Sequence, residues 1–144
     1  MAILVTDKTK VLVQGITGKE GSKVALQMRN YGTKVLAGVT PGKGGQEVHG
    51  IPVYNSVAEV LQNHPGINAS LISVPNFATL AAMNEAIEAK IPLIDVFTEH
   101  VPIQDSAKAI ALANHNGVRV VGPSSMGIIS PCVGKLGQFR GLDP

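Results

Sequence analysis

Residues 14–21 read Gln-Gly-Ile-Thr-Gly-Lys-Glu-Gly and place glycines at 15, 18 and 21. Directly after an apolar run and at the start of a helical pattern, that spacing suits phosphate binding. Glycines let the backbone approach a phosphate, and the unpaired N–H groups and positive dipole end of a starting helix then face it. A tight strand-to-helix turn without a ligand is the alternative that spacing alone leaves open. The spacing is not the dinucleotide fingerprint G-x-G-x-x-G, and the acid expected after a second strand is missing, because that region reads Gly38-Val39-Thr40-Pro41. A G-x-x-x-x-G-K-[ST] phosphate loop is absent too.

A second glycine-rich stretch, Thr40-Pro-Gly-Lys-Gly-Gly45, carries one lysine, Lys43. An exposed, mobile ammonium suits a phosphate neutralised without rigid geometry; a plain surface turn is the other reading. Val74-Pro75-Asn76-Phe77 and Phe97-Thr98-Glu99-His100 each follow an apolar run. Phe77 can stack on a flat ring, although packing on its own helix is the reading its position favours. Glu99 can accept hydrogen bonds from a hydroxyl or amine, or serve as a solvated loop acid.

Other chemistries find little support. No Ser-His-Asp arrangement or G-x-S-x-G elbow is present. Histidines 49, 64, 100 and 115 stand apart, with no metal-ligand spacing. His64 and His115 fall near helix ends, and His49 and His100 in loops at the candidate ligand edge. The single cysteine, Cys132, excludes an intrachain disulfide framework and reads as a buried or incidental thiol. No catalytic or metal-ligating residue is assigned.

Five short apolar runs must position these loops: 10–14, 34–39, 69–74, 92–97 and 118–121. Their continuous rather than alternating apolarity marks strands covered on both faces. Helical patterns lie between them. Thr17-x-x-Glu20 and Ser56-x-x-Glu59 have capping-box spacing. Asn76 and Asp105 are candidate N-caps, and Gly32 and Gly117 stand where helices end. Leu80, Met83, Ala86 and Ile87 form one helical stripe. The alternation predicts an α/β fold: a Rossmann-like, doubly wound, mostly parallel sheet with helices on both faces. Ligands of such sheets bind beyond the carboxyl ends of the strands, where all four loops fall. Residues 122–144 carry no helical pattern and read as an irregular extension with a short hairpin.

The 144 residues, 44% hydrophobic, fit one domain spanning the whole chain. With 15% charged residues and a net charge of +2, the chain is not a disordered polyelectrolyte, and nothing in its charge supports a nucleic-acid arm. Aromatics at 3% speak against a base-stacking surface. No leader-like start or stretch of membrane-spanning length appears, so a cytoplasmic protein without membrane attachment is expected.

Taken in order, KVLVQGITGKEG (10–21), YGTKVLAGVTPGKGG (31–45), the segment 50–59, V-P-x-F (74–77), T-E-x-V-P (98–102) and V-R-V-V-G-P (118–123) resemble the N-terminal CoA-binding domain of succinyl-CoA synthetase α subunits. The wider acyl-CoA synthetase and ATP-citrate lyase group shares the resemblance. It covers nearly the whole chain and implies coenzyme A as ligand. The site residues it implies are Thr17, Gly18, Lys19, Glu20, Lys43, Val74, Pro75, Phe77, Phe97, Thr98 and Glu99. It also implies an acid–CoA ligase driven by a nucleoside triphosphate, a tricarboxylic-acid-cycle type of reaction. A nucleotide-binding β subunit would be the partner, and a phosphohistidine would lie in a second α domain that this chain lacks. The chain alone would then be inactive.

Two departures stand out. The family's G-P-N-C-P-G is Gly122-Pro-Ser124-Ser125-Met126-Gly127 here, and the glycine after T-E is His100. The acyl substrate, succinate, citrate or another, stays open. A stand-alone CoA-binding regulatory module without catalysis is the second reading, and a nicotinamide-dependent enzyme the third.

Overall fold

The computed structural model describes residues 3–138. Among them, seven strands form one sheet in the order β3-β4-β2-β1-β5-β6-β7. The central strands are β1 (Lys10–Gln14), β2 (Lys34–Val39), β5 (Ala69–Ile72), β6 (Leu93–Val96) and β7 (Arg119–Val121), all parallel to their neighbours. These are the five apolar runs, each matched or trimmed by one or two residues. Beyond β2 lie β4 (Ile51–Tyr54), parallel to it, and β3 (Glu47–Val48), antiparallel to β4.

The sequence reading assigns no strand at β3 or β4. Pro52 removes an amide donor in mid-strand and argues against a strand there. The chain accommodates it near the sheet edge, where Pro52 stands opposite Glu47.

The helices are α1 (Lys19–Asn30), α2 (Val57–Asn63), α3 (Thr79–Glu88) and α4 (Ile103–Asn116), with a 3-10 turn at Asn76–Ala78 before α3. One face of the sheet packs on α2, α3 and α4 through Leu12, Val60, Met83, Ile87, Ile94 and Ala109. The other face packs on α1 through Val13, Ile16, Val24, Met28 and Leu71. The expected stripe of α3 is observed, with Met83, Ala86 and Ile87 buried and Leu80 packed at its rim.

Beside α1, the second face is covered by a hairpin, β8 (Gly127–Ser130) with β9 (Gly134–Gly137). Leu136 is buried in that core. Thr33 anchors the hairpin twice: its Oγ1 donates to the Lys135 carbonyl (2.8 Å) and accepts from the Lys135 N–H (2.9 Å). Ser130 Oγ donates to the Val5 carbonyl at 2.7 Å. The hairpin expected in the 122–144 stretch is therefore present within it; residues 139–144 lie outside the described residues.

The caps correct several expectations. At α1 the N-cap is Gly18 rather than Thr17, with no side-chain cap. Thr17 Oγ1 instead donates to Thr40 Oγ1 (3.1 Å), joining the first two loops. Asn76 opens the 3-10 turn and Ala78 caps α3, while α4 starts at Ile103 after Pro102, leaving Asp105 inside its first turn. Ser56 does cap α2, accepting from the Glu59 N–H at 3.2 Å. The reciprocal bond shifts by one residue, since Glu59 Oε2 accepts from Asn55 N–H at 2.9 Å. Gly32, at φ 101°, ends α1: its N–H donates to the Arg29 carbonyl and Thr33 N–H to that of Met28, a Schellman pattern.

Candidate functional site at the carboxyl edge of the sheet

Strands β1, β2, β5 and β6 all end on one edge, and their following loops frame two adjoining cavities. The first, 350 Å³, lies between the loops after β1, β2 and β5 and the flank of α3; Gln14, Thr17, Thr40, Val74 and Glu85 are among its walls. The second, 530 Å³, is walled by residues 18–21, 73–75 and 97–99. Gly18, Ser73, Val74 and Pro75 line both, so one extended ligand can run from one to the other.

The first loop is built for close approach. Gly15, at φ 88°, passes so near the Ser73 carbonyl that a side chain would collide with it. A Cβ on Gly21 would strike the Gly15 carbonyl, so α1 begins directly against the loop. The Gly18 N–H turns back to the Gly15 carbonyl at 3.1 Å and the Ser22 N–H to that of Gly18 at 2.9 Å. The N–H groups of Lys19, Glu20 and Gly21 have no backbone acceptor among the described residues. Three free donors at a helix start, beside a cavity, form an anion-accepting cradle.

The second loop works differently. The N–H groups of Gly42 and Gly44 both donate to Asn55 Oδ1, each at 3.0 Å, and the Lys43 N–H donates to the Thr40 carbonyl at 3.0 Å. No amide of residues 42–44 is left for an anion, and what the loop offers is the Lys43 ammonium. The exposure expected of Lys43 is observed, whereas the loose loop is not: it is pinned at three consecutive amides.

Thr98 is a clamp. Its Oγ1 donates to the Val74 carbonyl (2.8 Å) and accepts the Val74 N–H (3.2 Å), fixing the loop after β5 to the loop after β6. Phe97 is half-buried against the α1 face, and Glu99 is exposed with its carboxylate 4.0 Å from His100 Nε2. Of the residues singled out in the sequence, Thr17, Gly18, Lys19, Glu20, Val74, Pro75, Phe97, Thr98 and Glu99 wall one or both cavities.

Lys43 and Phe77 stand outside those walls. Phe77 is 82% exposed, so the helix packing favoured for it does not occur. His49 is a further correction: it sits in the β3–β4 turn, at the start of β4 rather than at the ligand edge. There its Nε2 meets Ser22 Oγ at 2.8 Å and its carbonyl accepts from Arg29. Cys132 is exposed, which removes the buried-thiol reading.

Sequence reasoning also missed Gln14 and Asn55. Gln14 is 2% exposed at the floor of the first cavity. It donates from Nε2 to the Ala82 carbonyl at 2.9 Å and accepts from Ser70 Oγ at 2.7 Å, tying β1, β5 and α3 together. A polar residue closing an apolar strand was its only signal. Beyond the cavities, Asp95 of β6 is fully buried, and burial raises its carboxyl from the usual 3.8 to about 6. The nearby Ser125 hydroxyl opposes that rise, but no well-formed hydrogen bond reaches either carboxylate oxygen. Among the described residues no cluster of His, Cys, Asp or Glu could hold a metal ion, and no helix is long and apolar enough to cross a membrane.

Comparison with known proteins agrees with this arrangement. The model of the family described as the CoA binding domain matches residues 6–100. The α subunit of the ADP-forming succinate–CoA ligase of Aquifex aeolicus is 50% identical over 143 residues, covering 98% of this chain and 47% of that protein. The corresponding subunit from Methanothermobacter thermautotrophicus is 49% identical over 135 residues, covering 94% and 45%. The chain therefore spans about half the length of these curated relatives. Among solved structures, ATP citrate lyase from Methanothrix soehngenii, in complex with citrate and coenzyme A, superposes with a TM-score of 0.79. It is 18% identical and covers 94% of this chain and 24% of that one. A D-galactose-1-dehydrogenase from Rhizobium etli also superposes, with a TM-score of 0.63 and 19% identity over 83% of this chain and 38% of that one. At such identities these two show a shared fold.

Proposed function

The chain belongs to the CoA-binding domain family, and from that premise we propose that it binds coenzyme A across the two cavities as the CoA-binding part of an acid–CoA ligase α subunit. The observation that carries this reading is the first loop: three unpaired N–H groups at Lys19, Glu20 and Gly21 open beside the junction of the two cavities. A pyrophosphate fits such a cradle, and the apolar flank of Val74 and Pro75 suits the less polar parts of the ligand. Lys43 supplies a cation for a phosphate lying further out. Thr98 acts through the loop it clamps, since its hydroxyl is already engaged. Glu99, in the wall of the second cavity, is assigned the role of accepting from a hydroxyl or amine of the ligand.

The reaction we assign to the whole subunit joins a carboxylic acid to CoA, with a nucleoside triphosphate converted to diphosphate and phosphate. The phosphohistidine step would belong to a second α domain, the nucleotide to a β subunit, and the setting to the cytoplasm. None of the four histidines here takes the phosphoryl role; His49, for example, meets Ser22 of α1 and walls neither cavity. Isothermal titration with CoA, dephospho-CoA and NADH tests the reading. Saturable heat with CoA and none with NADH is expected. No heat with CoA at millimolar concentration would overturn it.

A further inference from the structure

Lys43 owes its place to another residue. Asn55 follows β4, which is parallel to β2, so it emerges on the same edge as the glycine-rich loop. Its Oδ1 accepts both the Gly42 and the Gly44 N–H at 3.0 Å, the two amides that flank Lys43. Asn55 is itself held from behind, its backbone N–H donating to Glu59 Oε2 at 2.9 Å. The rest of the loop is stitched to the same edge: Thr40 N–H to the Tyr54 carbonyl (3.0 Å) and Gly45 N–H to that of Val53 (2.9 Å). Gly44 is needed for the fit, because a Cβ there would drive into the Asn55 carboxamide. Its φ is not in the left-handed region, so steric contact with Asn55, not backbone strain, is what excludes a side chain.

An exposed acceptor serving only the fold would not need to take the two amides that flank the one cation of the loop. Lysine loses considerable rotamer entropy when fixed, and a flexible glycine-rich backbone would add to that cost on binding. Two hydrogen bonds accepted by one oxygen remove the backbone share of it beforehand. We propose that Asn55 is a positioning residue that presents the Lys43 ammonium to an anionic group of the ligand. The inference rests on the reading of Lys43 as a CoA contact.

The test is a double-mutant cycle on the full chain, read by calorimetric titration with CoA. Lys43→Ala and Asn55→Ala are each expected to weaken binding by about 3- to 10-fold, the range for one lost hydrogen-bonded contact. Asn55→Ala is expected to add less than about 2-fold in a Lys43→Ala background, since coupled residues are not additive. The loss in both single variants should shrink together at high salt, as a screened ion contact does. Gly44→Ala, which displaces the Asn55 carboxamide from the other side, should reproduce the effect and serves if Asn55→Ala does not fold.

An undiminished loss in the Lys43→Ala background would overturn the proposal. So would full affinity in both Asn55→Ala and Gly44→Ala while Lys43→Ala binds weakly. If Lys43→Ala itself binds as tightly as the parent, the assignment of Lys43 to the site fails, and this inference with it. If the parent chain shows no CoA binding, the proposed function has failed.

Discussion

At the scale of the residue, Asp95 shows how one buried carboxyl couples stability to pH. Its carboxyl is buried in β6, without a well-formed hydrogen bond to either oxygen, and is raised from 3.8 to about 6 by that burial. The folded form holds this proton more tightly than the unfolded chain does. The Asp95 contribution to stability is therefore most favourable below the unfolded value, falls as pH rises between 3.8 and about 6, and is level above. The gap amounts to about 3 kcal/mol at 1.36 kcal/mol per pH unit. Asp95→Asn keeps the shape and removes the charge. It is expected to be more stable than the parent at pH 8 by about 1–3 kcal/mol, with the difference closing toward pH 4. Urea unfolding at the two pH values checks this; a difference that does not change with pH would count against it. The sequence could not show this group's state, because an Asp after Leu-Ile reads the same whether it points to solvent or into the core.

At the scale of the element, the first loop and α1 act as one unit. Gly21 lies so close to the Gly15 carbonyl that Gly21→Ala must push α1 away from the loop. The expected outcome is a stability loss of about 1–3 kcal/mol, together with weaker CoA binding, because the amides of residues 19–21 move with the helix. Denaturant unfolding and titration on the same preparation check both effects. The hairpin β8–β9 is a second unit, since Leu136 is its fully buried contribution to the α1 side of the core. Leu136→Ala is expected to cost about 2–5 kcal/mol in unfolding by urea, with CoA affinity retained because neither cavity touches β9.

These elements were unequally legible in the sequence. The five central strands and the loops after them could be read, because strands covered on both faces carry unbroken apolar runs. The edge strands could not, because β4 alternates buried and half-buried residues around Pro52 and β3 is two residues long. The T-x-x-E spacing does not mark the cap of α1, because the helix starts one residue later, after Gly18, and the Thr17 hydroxyl is engaged across the edge by Thr40. Asn55 escaped notice because its role depends on two strands meeting in parallel, a relation between segments rather than within one.

At the scale of the whole molecule, the domain is a ligand-binding unit whose stability should report on its ligand. The first cavity lies between the loops after β1, β2 and β5 and the second between those after β1, β5 and β6, so a molecule bound across both adds to the bonds that join these loops, such as the Thr98–Val74 clamp. A ligand that binds only the folded form stabilises it by about 2.7 kcal/mol at a hundredfold excess over Kd. For a chain of this length that corresponds to a rise of roughly 5–10 °C in Tm. CoA is expected to raise Tm in this way and NADH to leave it unchanged, which differential scanning calorimetry reads directly. The curated relatives are about twice as long as this chain, so the proposed formation of acyl-CoA from CoA, a carboxylic acid and a nucleoside triphosphate is tested in the setting of a whole subunit. Activity on adding the remaining half of such a subunit with its β partner would establish the ligase assignment. CoA-dependent stabilisation that persists while every such combination stays inactive would favour a regulatory CoA-binding module instead.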